Sequence, residues 1–188
     1  IASSIVYGDN AIRSWLRNLV ASDQLQMASS NGSGASGHRP QLSVRYSVRE
    51  IGEQAPRFSL QDLSGKTVTT EDLLGRETLL LFWLATCEYC KAMREDIRRW
   101  EDGALPDAPR LVFIASGAAE AIREANKDFK SMTLLDLEFD TAPLFGTKFT
   151  PSAILIDSEG RIASSLAMEY NKVRALMGLE KAKFELMA

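Results

Sequence analysis

Cys87-Glu88-Tyr89-Cys90 holds the only two cysteines of the chain, three positions apart. They follow an apolar run, Leu79 to Ala85, that has the length of a buried strand, and they stand where a helix is predicted to begin. Two thiols at this spacing can close a disulfide across the first helical turn. So small a loop stabilises a fold only slightly, which makes stapling a poor use for the pair. The free N–H groups and the dipole of a helix N-terminus favour a thiolate at the first cysteine. Thiolate is the attacking form in disulfide exchange, and the second thiol can then resolve the mixed disulfide. The strand-to-helix context points to redox chemistry. Two unrelated buried cysteines, or half of a metal site completed by a partner, are the competing readings.

Thr150-Pro151 adds a second feature from far along the chain. The proline opens the apolar run Ser152 to Ile156, and a proline inside a sheet removes a ladder hydrogen bond. A cis peptide would turn the chain sharply here and expose the Thr150 backbone for pairing with an extended substrate; a trans proline at a strand start is the ordinary alternative. Aromatic residues flank the thiols. For Trp83, core packing competes with a substrate-facing role, whereas Tyr89 falls on the exposed turn between the cysteines. Glu88, a negative charge between the thiols, raises their pKa, while Lys91 and Arg94 one turn on lower it. These signs oppose.

Positioning such residues takes a regular frame, and the chain from about Gly52 has one. Phe58–Leu60 and Thr67–Thr69 flank Asp62-Leu63-Ser64-Gly65 as a predicted hairpin. Residues 70–74 read as a short helix stopped by Gly75. Thr78 to Leu84 reads as a central strand covered on both faces. A helix is expected from Cys87 to Trp100, with Met93, Ile97 and Trp100 on one stripe, then a strand over Leu111 to Ala115. Ser116 is expected to cap a helix over Ala118–Phe129. A short strand at Leu134-Leu135, a short helix over Ala142–Phe145, strands at Ala153–Ile156 and Ile162–Leu166, and a helix over Asn171–Met177 complete the pattern. Strands alternating with helices, plus a terminal hairpin, mean an α/β sandwich with a mixed sheet.

Composition narrows the function. The 188 residues are 45% apolar and 25% charged, the make-up of a globular protein with a real core. A net charge of −3 argues against nucleic acid as a partner, which calls for a basic patch. No apolar run approaches the ~18 residues of a membrane span. One histidine and two cysteines are too few for a four-ligand zinc site built from those residues alone, so neither a metal nor a cofactor is expected. The lone His38 lies in a Gly/Ser-rich tract and reads as solvated.

The first fifty residues carry five Lys/Arg against three Asp/Glu, the rest 17 against 22. Asn10 could cap a helix bearing Ile12, Trp15, Leu16, Leu19 and Val20 at helical spacing, either docking on its own domain or a partner, or flanking a lost membrane segment. Residues 29–37 read as a flexible linker. The chain begins at Ile1, which reads as a processed or truncated product. The expected division is an extension over 1–50, one domain over 51–178 and a tail over 179–188.

Three stretches resemble the redoxin-type thioredoxin-like domains. They are Gly52-Glu53-Gln54-Ala55-Pro56-Arg57-Phe58-Ser59-Leu60, Leu81-Phe82-Trp83-Leu84-Ala85-Thr86-Cys87-Glu88-Tyr89-Cys90 and Thr150-Pro151-Ser152-Ala153. The resemblance is in particular to the membrane-anchored, extracytoplasmic TlpA/ResA and MauD-like thiol–disulfide oxidoreductases. It implies a thioredoxin-like sandwich with a helix–strand unit inserted between Ser116 and Gly146. It further implies Cys87 as nucleophile, Cys90 as resolving thiol and Pro151 as a cis-proline beside them. With Thr150, Pro151, Tyr89, Trp83 and Glu88 as the substrate-binding set, the expected function is disulfide exchange with protein thiols or disulfides on the periplasmic side of a bacterial membrane. The full-length protein would be tethered there and would take electrons from a membrane donor.

The sequence also departs from its relatives. Thioredoxin carries a buried aspartate where this chain has Leu81, and many TlpA/ResA-type proteins place a glutamate where it has Met93. No group is then evident to deprotonate Cys90, which supports the alternative of a thioredoxin-like binding or assembly module without turnover. Leu84 and Leu80 stand where a peroxiredoxin needs its hydroxyl residue and proline, so peroxidase chemistry is disfavoured. A copper chaperone of the Sco type needs a wider cysteine spacing and a distal histidine.

Overall fold

The computed structural model describes residues 48–103 and 108–179. The chain divides between Arg45 and Tyr46, and every described residue belongs to the second unit. The expectations for the helix after Asn10, the linker, His38 and the tail beyond residue 179 lie outside the described residues.

A seven-stranded mixed sheet forms the frame, in the order β2-β1-β5-β4-β3-β6-β7. Its strands are β1 (Ser59–Asp62), β2 (Thr67–Thr69), β3 (Thr78–Leu84), β4 (Arg110–Ser116), β5 (Met132–Leu135), β6 (Ser152–Ile156) and β7 (Ala167–Met168). The helices are α1 (Glu88–Ala92), α2 (Arg94–Gly103), α3 (Ala119–Asn126), α4 (Thr141–Leu144) and α5 (Tyr170–Leu176), with a 3-10 turn over Thr70–Leu73. Parallel pairing joins β3 to β4 and β4 to β5. β6 runs antiparallel to β3, and the β1–β2 hairpin extends the sheet through β5.

The centre of the sheet is apolar on both faces because its strands alternate between two cores. Leu80 and Phe82 of β3, Val112 and Ile114 of β4, and Ile154 and Ile156 of β6 face one core with Phe58, Leu73 and Phe145. Leu79, Leu81 and Trp83, Leu111 and Phe113, and Ala153 and Leu155 face the other. Met93, Ile97, Ile122 and Val173 cover that second face from the helices. Period-two alternation with both phases apolar is the signature of a strand covered twice over. Tyr170 of α5 donates its hydroxyl hydrogen bond to Asp96 of α2 at 3.2 Å, which ties two of the covering helices together.

The structure corrects three local expectations. The helix expected over Cys87–Trp100 is two helices: at Met93 (φ −81°, ψ −9°) the N–H turns back to the carbonyls of Cys90 and Lys91. Met93 and Ile97 still share the buried stripe. Ser116 caps nothing. Gly117 at φ +112° swings the chain, Ala118 becomes the N-cap with no side-chain bond, and the Ser116 hydroxyl is buried without a partner. The strand expected over Ile162–Leu166 shrinks to one bridge, Ile156 with Ile162. Ser164 takes the Leu155 N–H on its side-chain oxygen at 2.9 Å, so a hydroxyl occupies the place of a ladder carbonyl and pairing resumes only at β7.

Candidate functional site

β3 delivers the thiols. Its last residue, Leu84, accepts the Cys87 N–H at 3.0 Å, and Cys87 accepts the Lys91 N–H at 3.0 Å as N-cap of α1. Cys87 is half-buried and Cys90 is fully buried, and both are free thiols. The second half of the site arrives from the far end of the chain. The Thr150–Pro151 peptide is cis, and the Cys87 thiol donates to the Thr150 carbonyl oxygen at 3.4 Å. Residues 63 positions apart in sequence thus meet at the Cys87 sulfur.

The loop carrying Thr150 is held by hydroxyls. Ser152 Oγ donates to the Phe149 carbonyl at 2.8 Å, and the Phe149 N–H donates to Thr147 Oγ1 at 3.1 Å. Ser152 and Thr147 are themselves buried. Their bonds fix the backbone of Phe149 while its ring stays 60% exposed. Phe149 directly precedes the Thr-Pro pair that drew attention in the sequence, yet the reading passed over it.

The two sulfurs differ electrostatically. Burial works against the Cys87 thiolate. Hydrogen bonding outweighs it, chiefly from the Cys90 backbone N–H, then the Thr150 side chain, the Cys90 thiol and the Tyr89 N–H, so the Cys87 thiol titrates below its ordinary value. The Thr150 carbonyl contact pulls the other way, because only the protonated thiol can donate to it. Burial pushes the Cys90 thiol up to about 12, and the neighbouring Cys87 adds to the rise. Leu81 and Met93, at the two positions where the resemblance implies an acid, are fully buried in the same apolar cluster as Cys90.

The remaining candidates divide. Tyr89 is 68% exposed beside the thiols. Glu88 is exposed as well and forms an ion pair with Lys91 at 2.7 Å, so these two charges largely answer each other. Arg94 is turned toward the Ala125 carbonyl and Asp128, with its guanidinium over the Phe129 ring. It does not face the sulfurs. Trp83 is 1% exposed and packs edge-on against Phe113 and Phe129; the substrate-facing role is corrected in favour of core packing, because β3 aims this ring into the interior.

Glu169 also escaped the sequence reading. It follows β7 directly, it is exposed, and its backbone lies at φ 79°, ψ 151°. That region is essentially restricted to glycine and costs about 1–3 kcal/mol for other residues. No glycine marks the position in the sequence, so nothing there signalled a special conformation.

Two grooves lie elsewhere. One of about 650 Å³, lined by Asp62, Trp100, Glu101, Arg110 and Lys130 among others, opens where β4 and β5 begin. The thiols stand past the opposite end of these parallel strands. Among the described residues no group of three or more His, Cys, Asp or Glu side chains could hold a metal ion.

Known proteins bear on this geometry. The AhpC/TSA family model matches residues 51–165. The thiol–disulfide oxidoreductase ResA of Bacillus cereus is 29% identical over 135 residues, which cover 65% of this chain and 73% of ResA. The methylamine utilization protein MauD of Paracoccus versutus is 29% identical over 140 residues, 72% of this chain and 68% of MauD. A crystal structure of the thioredoxin domain of a thiol–disulfide oxidoreductase from Bacteroides vulgatus superposes with a TM-score of 0.57. It covers 69% of this chain and 99% of that domain at 21% identity, a likeness of fold.

Proposed function

The chain belongs to the AhpC/TSA family, among the thiol–disulfide oxidoreductases of the ResA and MauD group, and from that premise we propose that Cys87 and Cys90 exchange disulfides with protein substrates held against Thr150-Pro151. The observation that carries this reading is the asymmetry of the two sulfurs. Cys87 is accessible and acidified beside an acceptor backbone, whereas Cys90 is buried and kept protonated beneath it.

In the reducing direction the Cys87 thiolate attacks a substrate disulfide. The substrate S–S bond breaks, one substrate sulfur leaves as thiolate, and a Cys87–substrate disulfide forms. Cys90 then loses its proton and attacks the Cys87 sulfur, which closes the Cys87–Cys90 disulfide and frees the second substrate thiol. Two electrons have passed from protein to substrate, and an external dithiol restores the pair. The same steps reversed oxidise a substrate dithiol. With Leu81 and Met93 apolar, the departing thiolate is the base nearest to hand for the Cys90 proton. Thr150 offers its backbone to the extended substrate segment, and Pro151, Tyr89, Phe149 and Glu88 line the approach.

Location follows the group resemblance: the enzyme works on the periplasmic side of a bacterial membrane, tethered there and reduced by a membrane donor. Among the described residues no helix is long and apolar enough to cross a membrane. The division into an extension over 1–50, the redoxin domain over 51–178 and a tail is retained on the same footing.

Insulin reduction with dithiothreitol tests the reading. Turnover that disappears in Cys87→Ser is the expected result. Absence of any cysteine-dependent turnover would overturn it and leave a binding or assembly module. Equilibration in glutathione or dithiothreitol buffers then assigns direction. A potential near the ~−270 mV of thioredoxin indicates a reductase, and one near ~−120 mV an oxidant.

A further inference from the structure

Glu169 follows the end of β7, the strand that pairs with the start of β6 just past Pro151, and the reaction above does not use it. The last pair of the β6–β7 ladder is Ser152 with Met168. Pro151 and Glu169 are the residues immediately beyond this last pair, each just outside its strand, and Pro151 follows the carbonyl that receives the Cys87 thiol. Glycine would adopt this backbone freely, yet the position bears an exposed carboxylate that takes no hydrogen bond or ion pair among the described residues. The nearby carboxylate of Glu88, by contrast, is already neutralised by Lys91.

A substrate strand pairing with Thr150 advances about 3.3 Å per residue. Side chains one to three positions from its cysteine therefore pass the β6–β7 edge, within reach of a carboxylate just past β7. A carboxylate without a partner is an acceptor for ammonium or guanidinium groups. Resting on the exchange reading above, we propose that Glu169 is a specificity-determining residue: it favours substrate segments that carry Lys or Arg within three residues of the exchanging cysteine.

The test uses the full chain, pre-reduced, in single-turnover reactions with two symmetric peptide disulfides. They differ only in Arg or Glu two residues from the cysteine. The expected rate ratio is about two- to fivefold in favour of Arg, the range of an exposed ion pair, and it shrinks toward one near 1 M salt. Glu169→Gln keeps the backbone conformation and abolishes the ratio. Asp102→Asn removes the same charge at the opposite end of the sheet and leaves the ratio intact. Glu169→Gly abolishes the ratio while raising Tm, because the strained residue is gone. Equal rates for both peptides with the parent chain would overturn the selectivity and spare the exchange reading. A ratio that survives Glu169→Gln, or falls equally in Asp102→Asn, would refute the role of this residue. No exchange with either peptide would remove both readings together.

Discussion

Cys90→Ala isolates the burial of the resolving thiol as a measurable pH effect on stability. In the folded, reduced protein the Cys90 thiol titrates near 12 instead of at the ordinary 9.0. Folding therefore holds a proton that the unfolded chain gives up from pH 9 onward. The stability associated with this proton is complete below pH 9 and is lost as pH rises toward 12, because the unfolded state releases it first. Three pH units at 1.36 kcal/mol each amount to about 4 kcal/mol, of which about 2 kcal/mol is gone by pH 10.5. Lysine and tyrosine titration affects parent and variant alike and cancels in the comparison. The assay is urea unfolding of both proteins between pH 8 and 10.5, with a phosphine reductant to keep the thiols free. The stability advantage of the parent over Cys90→Ala should shrink by about 1.4 kcal/mol per pH unit above 9. An advantage that stays constant across this range would show that Cys90 ionises as freely folded as unfolded, and the argument from burial would fall.

Alkylation should separate the two sulfurs. Iodoacetamide should label Cys87 of the reduced protein with a pH midpoint below that of a free thiol, as the hydrogen bonds to its sulfur require, and should leave Cys90 unmodified in mass spectra until the fold opens. Gly160→Ala should destabilise by about 1–3 kcal/mol, because φ is +79° there and an added Cβ would approach Leu74 Cδ2 at 2.8 Å. Thermal unfolding measures the loss, and Leu74→Ala in the same chain should recover only the steric part of it.

The fold was legible where one local signal outweighed its neighbours. The unbroken apolar run of β3 announced a strand with two covered faces, and the cysteines at its end announced the candidate site. Hydrogen bonds between distant residues decided the places that went otherwise. Ser164 takes a ladder bond from Leu155, which no period-two pattern encodes. Met93 breaks its helix without a glycine or proline to mark the break. Trp83 belonged to either role on sequence grounds, since an aromatic near a thiol looks the same whether it faces in or out. Its place in the alternation of β3 settles the matter, because Leu79 and Leu81 share its face. Phe149 became visible only when the start of β6 was brought beside Cys87, and Glu169 only through its backbone conformation.

The two outer strands of the sheet are three and two residues long. An edge this short offers a passing chain few unpaired N–H and C=O groups, and growth of the sheet by accretion of further strands is correspondingly poor. Under the proposed exchange, protein clients bring extended segments to this sheet at every encounter. On the same proposal, backbone recognition falls to the loop that ends at Thr150, where covalent chemistry follows. A client can be gripped at its cysteine and let go once the sulfurs have traded places, because little else on the rim of the sheet would hold it.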